Sequence, residues 1–600
     1  MRFKGFVIIT AAALISLVGC GSIKDRKASK VEGIDYMALQ KKAETFVPEI
    51  GTYGGELIMS TISDPKSFNP ITATETSTSE FTQYIYEGLT RIDGVTRMPE
   101  PNLAESWEVS EDGLTWIFHI RKGVLWSDSV PFSAYDVEFS FNDLIYNEDI
   151  NPNSARDILL IEGKKIEVTP LDSHRVKFVL PTPFAPFLRT VNGGVAPILP
   201  KHRYEKFVKS GTFSNALGIQ TPPDSMVGTG KFLLDSYVSS QKVTFRRNPL
   251  YWEKDSAGNR LPYLDRLVYM IVSDQNTELL RFKRGEIDVL AAKGEDYPGL
   301  KKEEAKSNYT VFRLGPATGS SFLFFNQNTL TDSETGKPYV DPVKQSWFRN
   351  PRFRKAVAHA LDKESMIRIV MNGLGYPQWG PMTPSEGYFY NPDVPRQEYD
   401  LEKAKKILAD EGFKDSDGDG ILEDADGNTV EFSFITNSGN NVRVKIAEII
   451  RKDLETLGFK VHFQQMEFNS LVQRIDNRPF NWDAILLGLT GGPEPHFGKN
   501  VWHSSGTLHM WFPRQKEPST EWEATIDTLF VSGVKELDKA QRKAIYDEWQ
   551  RVAAEKLPLI YTVLNERTVC ISNKFKNINP SPNGGVLHNI EKIYIDTEKQ

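Results

Sequence analysis

Long apolar runs are almost absent from this chain of 600 residues. The one near its start, residues 6–18, is roughly a dozen positions long, short of the ~20 that a helix needs to cross the hydrocarbon core of a bilayer. Cysteine is equally scarce, with Cys20 and Cys570 the two examples. If Cys20 is engaged elsewhere, no internal disulfide can form and the fold rests on its core, which a chain of this length is able to bury. A positive excess is missing as well. Lys and Arg number 72 against 79 Asp and Glu, and the net charge of −7 offers no general attraction to phosphate backbones, so nucleic acid is not an expected partner. Neither a Gly-x-Ser-x-Gly elbow nor a His-Glu-x-x-His helix occurs, which leaves hydrolysis without its commonest signatures. Gly228-Thr229-Gly230-Lys231 falls short of a phosphate loop, because Ser225 stands where the pattern needs Gly and Phe232 where it needs Ser or Thr.

What is there begins with an export signal: Arg2 and Lys4, then the apolar run, then small residues. Residues 1–19 are expected to be removed. Leu17-Val18-Gly19-Cys20 resembles the bacterial lipobox, which implies that Cys20 carries a lipid and anchors the protein to a membrane. Residues 20–50 are polar and read as a tether, with order expected from Gly54-Gly55 onward. Beyond them β-like runs alternate with helical ones. Asp400 caps a helix with Ala404, Ile407 and Leu408 on one face and Gly412 at its end. A second helix keeps Val442, Ile446, Ile449, Ile450, Leu454 and Leu457 at helical spacing and stops at Gly458, after which 459–463 alternates as a half-buried strand. Such units define an α/β fold with ligand loops at strand ends.

Asp415, Asp417 and Asp419 alternate, Ile421 offers a carbonyl at the seventh position and Asp426 falls at the twelfth. Hard oxygen donors at this spacing suit a structural calcium ion, although a calcium loop of the EF-hand kind ends in Glu, and a solvated acidic turn is the alternative. No cofactor is otherwise required. His496, His503 and His509 gather in one region at spacings that fit no common zinc pattern, and read better as polar cleft residues. Cys570 sits among apolar strand residues as a small buried hydrophobe. The loop of Thr490, Gly491, Gly492, Glu494 and His496 follows an apolar strand, and its glycines let backbone approach a ligand closely. Trp379, Phe389 and Trp502 fall outside any periodic apolar face and are candidate cleft walls.

Several phrases together resemble family 5 of the bacterial extracellular solute-binding proteins, receptors of ABC importers for oligopeptides, dipeptides and nickel. The densest covers 103–128, opening with Leu103-Ala104-Glu105-Ser106-Trp107 and closing with Leu125-Trp126-Ser127-Asp128, and continues as Pro131-Phe132-Ser133-Ala134-Tyr135-Asp136-Val137. Pro197-Ile198-Leu199-Pro200-Lys201-His202, Arg247-Asn248-Pro249-Leu250-Tyr251-Trp252, Gly285-Glu286-Ile287-Asp288 and the run 354–362 follow in the family's order. Ser129 and Val130 replace the family's Asp-Gly, a change confined to a turn.

The resemblance implies a two-lobed periplasmic-binding-protein fold of the large cluster C type with a ligand cleft between the lobes. Lobe I would comprise 51–90, 227–316 and 556–600, an extra subdomain 91–226, and lobe II 317–555, with crossing strands near 320–326 and 557–564 as hinges. Thr76 and Ser77 resemble a cleft-lining segment of the family. Many of its peptide receptors place an Asp in the 488–496 loop to pair with a ligand's ammonium; here Gly491-Gly492 stand near that place and Glu494 is the nearby substitute. The expected protein is a lipid-anchored, monomeric, non-enzymatic receptor facing the periplasm or cell exterior, which captures an oligopeptide by lobe closure and presents it to importer permease subunits. A receptor for an oligosaccharide or metal chelate, or an envelope hydrolase or chaperone on the same scaffold, are the alternatives.

Overall fold

The structure, a computed structural model, describes residues 35–596. The signal at 1–19 and Cys20 lie outside the described residues. Among the described residues no helix is long and apolar enough to cross a membrane.

A five-stranded sheet organises the half of the chain between 317 and 561. Its order is Lys460–Met466, Glu431–Asn437, Ala484–Leu489, Ser320–Phe325 and Ile560–Tyr561. The first three strands run parallel and the other pairings are antiparallel. Successive side chains of a strand point to opposite faces, and the central strands are apolar on both. Leu323, Phe325, Phe432, Phe434, Ala484 and Leu486 pack into one core, and Phe322, Phe324, Ile435, Ile485 and Leu487 into another. This double burial explains why Phe322 to Phe325 of that strand reads as a continuous apolar run instead of alternating.

Both marked helices form. Asp400 accepts the Lys403 N–H at 2.9 Å, and Ala404, Ile407 and Leu408 are buried on the Leu401–Asp410 helix. The helix Asn441–Thr456 buries Val442, Ile446, Ala447, Ile450 and Leu454, and the chain turns at Gly458 with φ +98°. The strand after it is an edge, which is why its residues alternate between exposed and half-buried.

The other half carries three further four-stranded arrays. Glu56–Thr61, Arg266–Ile271, Lys242–Arg247 and Phe232–Val238 form one, with the first pair parallel. Ala104–Val109, Thr115–Ile120, Arg175–Val179 and Glu167–Asp172 form an antiparallel one inside 91–226. These two share a single hydrophobic cluster, in which Leu57, Phe81, Phe245 and Leu267 join Phe118, Phe141 and Phe178. The third places Val563–Ser572 between Val289–Ala292 and Tyr309–Pro316, with Gly375–Pro377 added to it.

Two strands pass from this last array into the five-stranded sheet. One changes sheets between Pro316 and Ser320, the other at Thr562. Ala317 N–H donates to Asn565 O at 2.8 Å and Thr562 N–H to Ser321 O at 3.0 Å, so the crossings are hydrogen-bonded side by side.

One expectation changes. Within the stretch read as a tether, Tyr36–Glu44 is a helix, capped by Asp35 through the Ala38 N–H. Only Ala43 of it is buried, so no apolar periodicity announces it. Polar contacts hold it instead: Tyr36 Oη donates to Glu566 at 3.0 Å, Gln40 to Val95 O at 2.8 Å, and Asn579 to Ala43 O at 3.1 Å.

Candidate functional site

A cavity of about 630 Å³ lies between the two halves. Ala73, Thr76, Asn151, Pro152 and Gly194 border it from one side, and Phe322, Met382, Glu386, Phe468, Leu487 and Trp502 from the other. The loop after Ala484–Leu489 runs along it, at the carboxyl end of a parallel strand where ligands of open α/β sheets bind. Its size and mixed lining are those of a site for a small solute.

Of the cleft residues expected from sequence, Thr76, Thr490, Gly491, Gly492, Glu494, Trp502 and His509 border the cavity. Five do not, among them His503, whose Nδ1 lies 3.9 Å from Asp527. Ser77 is buried and donates to Asn469 Oδ1 at 3.3 Å, joining the two halves beside the cleft. Trp379 is half-buried, with Lys363 Nζ 3.6 Å from its ring centroid. Phe389 packs against Tyr546 in the lobe core. His496 is buried, donates from Nε2 to Ile158 O at 2.8 Å, and is pushed down to about 3 by burial, with Lys499 and Arg542 adding to that. Apolar character outside a helical period thus marked core as readily as wall.

Glu494 needs a different correction. It borders the cavity, but Arg542 holds both of its oxygens, one through Nη1 at 3.1 Å and the other through Nη2. Both side chains are buried, and Glu494 also accepts the His496 N–H at 3.1 Å. A carboxylate so occupied is not free to receive a ligand's cation.

The acidic loop lies apart from the cavity lining. Asp415, Asp417 and Asp419 bring carboxylate oxygens within 4.8 Å of one another, all exposed, while the Asp426 carboxylate is not part of that group. Asp415 accepts the N–H groups of Gly418 and Gly420 at 2.7 and 3.0 Å, and Glu423 that of Ser416 at 2.8 Å, so the turn is held by its own hydrogen bonds.

Sequence reasoning missed the cavity's own ionisable groups. Glu386, in a turn capped by Thr383, borders it with a carboxyl that burial pushes up to about 8. Asp476 is raised to about 6 by burial, which the Lys66 and Arg514 cations partly offset. Lys66 itself lies 3.7 Å from Glu75, and all five of these residues border the cavity. The Thr-x-x-Glu pattern at 383–386 signals a capped turn, yet nothing local says which way the turn faces.

A cavity walled by two α/β halves that are joined by paired crossing strands is the architecture of a receptor enclosing a solute. The chain belongs to the bacterial extracellular solute-binding proteins, family 5, whose middle-region model matches residues 98–507. Members of the family bind peptides or other small solutes and deliver them to ABC importer permeases. A probable ABC transporter-binding protein of Deinococcus radiodurans is 31% identical over 84% of this chain and 86% of its own length. The oligopeptide-binding protein AppA of Bacillus subtilis is 26% identical over 90% of this chain and 92% of its own. The structure of AppA with a nonapeptide aligns with a TM-score of 0.78 at 25% identity, covering 91% of this chain and 100% of that one. The periplasmic binding protein MelB of Agrobacterium fabrum, solved with stachyose, shares the fold at TM-score 0.79 and 23% identity, covering 92% and 86%.

Proposed function

We propose that this receptor captures oligopeptides by closing its lobes over them and hands them to the permease of an importer, while Cys20 carries a lipid that holds it at the envelope surface. One observation carries the reading: the cavity is enclosed between halves that meet through paired strands, with room for a small extended solute and with glycine backbone at its wall. AppA, named for oligopeptide binding and similar along nearly the whole length, favours peptide. Recognition through backbone groups, with side chains received in apolar pockets, gives broad specificity. Apolar and aromatic side chains from Phe322, Met382, Phe468, Phe497 and Trp502 supply such pockets.

A second reading, an oligosaccharide receptor, has its own support in the cavity's aromatic residues and in the absence of an unpaired acid from the 490–496 loop. Denaturing the purified protein and weighing what it releases by mass spectrometry decides between them. Peptide masses are expected; a glycan or metal chelate as the sole released species overturns the peptide assignment.

A further inference from the structure

The Glu566 carboxylate, in a residue only 5% exposed, is surrounded by donors from three separate stretches of chain. Arg313 grips it from the neighbouring strand, Nε to Oε1 at 2.6 Å and Nη2 to Oε2 at 2.7 Å. Tyr376 Oη donates to Oε2 at 3.2 Å and Tyr36 Oη to Oε1 at 3.0 Å. An ionised carboxylate offers about four lone-pair sites, so the Tyr36 phenol completes the set. This acid stands at the crossings. It pairs with Pro316, the last residue of its strand before the chain leaves for the five-stranded sheet, and it lies just past the second crossing at Thr562. Tyr376 comes from the short strand Gly375–Pro377, which is laid on 563–565. The Tyr36 ring also covers Gly315, at φ +89°, where an added Cβ would meet it at 3.4 Å.

The rest of the helix is fixed to the half of the chain that carries the four-stranded arrays. Gln40 Nε2 and Asn583 Nδ2 both donate to Val95 O, at 2.8 and 2.5 Å, and Asn579 Nδ2 donates to Ala43 O at 3.1 Å. A little further on, Asn577 exchanges two hydrogen bonds with the Glu49 backbone, at 2.9 and 2.8 Å. We propose that the helix Tyr36–Glu44 is a clasp on the hinge: it holds the two crossing strands in the arrangement seen here and so favours the closed receptor. This rests on the reading of a receptor that closes, and adds the part that steadies its hinge. Rotation of the halves about 317–319 and Thr562 turns the backbone beside Gly315 and shifts Arg313, Tyr376 and Glu566 against one another. With the phenol bound, that rotation strips a donor from a buried charge, which is costly. Without the phenol the donor is already missing in the closed form, so opening loses less. The shift between the forms equals the difference the phenol makes between them. If Cys20 carries a lipid, the stretch that leads from it is fastened at the hinge.

The test uses the full chain and native-state hydrogen exchange, which reads local opening at single amides. Ala317 N–H, bonded to Asn565 O, and Thr562 N–H, bonded to Ser321 O, report on the crossings, and the amides of 39–45 report on the helix. Tyr36→Phe removes the Oη donor and keeps the ring over Gly315. It is expected to speed exchange at Ala317 and Thr562 by roughly tenfold or more, the scale of one hydrogen bond to a charged group. Small-angle scattering should give this variant a larger radius of gyration than the unaltered protein, both free of solute. Tyr36→Ala, which also uncovers Gly315, should exceed it in both measurements. Gln40→Ala loosens the far end of the helix and should speed exchange there more than at the crossings. If the two Tyr36 variants speed exchange in 39–45 alone, the phenol merely fastens the helix and the inference fails. Faster exchange at the crossings with an unchanged radius overturns it too, since the helix would then steady the strands but not the lobes. The receptor reading stands or falls separately, by the release experiment above, because none of these measurements uses a solute.

Discussion

Glu494 lies in the loop where a sequence reading places a partner for a ligand's cation, and Arg542 already holds it. The two are far apart in sequence, and no local pattern links the 490–496 loop to the helix Lys539–Lys556 that brings the guanidinium. Such a pair is costly to break, because removing one charge leaves the other buried and uncompensated. Arg542 also donates from Nε to Gly533 O at 2.8 Å, so its loss strands a carbonyl as well. Arg542→Met is expected to destabilise the protein by about 3–5 kcal/mol in urea unfolding. A loss below roughly 1 kcal/mol, the range of solvent-exposed pairs, would show that water reaches the site. At this scale the sequence supplied residue types but not their partners: the glycines of the loop could be read as open backbone, whereas the acid of Glu386 beside them arrives from a turn about a hundred positions upstream.

Elements with their own periodicity were legible, and elements held by distant polar contacts were not. Leu401–Asp410 and Asn441–Thr456 announced themselves by spaced apolar residues and terminal glycines, and both formed. Tyr36–Glu44 and Ser154–Leu159 did not. The latter is a six-residue helix whose orphan carbonyls are satisfied from the other lobe, Ile158 O by His496 Nε2 at 2.8 Å and Leu160 O by Lys499 Nζ at 2.7 Å. Hence His496, which spacing offered as a cleft residue, is a clip between lobes. It can act only as a neutral ring, since burial depresses it from 6.5 to about 3. A histidine with a depressed folded-state pKa contributes stability that is whole above pH 6.5 and is lost as pH falls toward 3, because the unfolded chain takes the proton first. Thermal melts across that window are expected to fall faster for the unaltered protein than for His496→Gln, whose amide can donate to Ile158 O but does not titrate. Parallel slopes would show that other groups carry the acid sensitivity.

For the whole molecule, the α/β class was legible in the alternation of β-like and helical runs and the crossing strands were expected from the family resemblance alone, whereas the shape of the cavity was not legible, because its walls come from at least six separated stretches of chain. The same separation makes closure a matter of contacts across the seam. Besides His496 and Lys499, the Asp157 carboxylate accepts the Thr507 N–H at 2.9 Å, Ala185 N–H donates to Val534 O at 2.9 Å, and Lys535 pairs with Glu162 at 2.5 Å. None of these residues except Thr507 borders the cavity, so they favour the closed arrangement without touching solute. A ligand that needs the closed form binds with its intrinsic affinity divided by the closed fraction of the free receptor. Weakening the seam lowers that fraction and leaves the intrinsic contacts intact. The double variant Asp157→Ala, Lys499→Ala is therefore expected to show a larger radius of gyration than the unaltered protein when free, and the same radius when saturated. Its dissociation constant should rise by roughly tenfold for each 1.4 kcal/mol moved from closed to open. Small-angle scattering with and without the released solute measures the first two quantities and calorimetry the third. Equal radii for the free proteins together with an unchanged affinity would mean that the seam does not set the opening equilibrium, and the crossings at 317–319 and Thr562 would then have to hold the lobes together unaided.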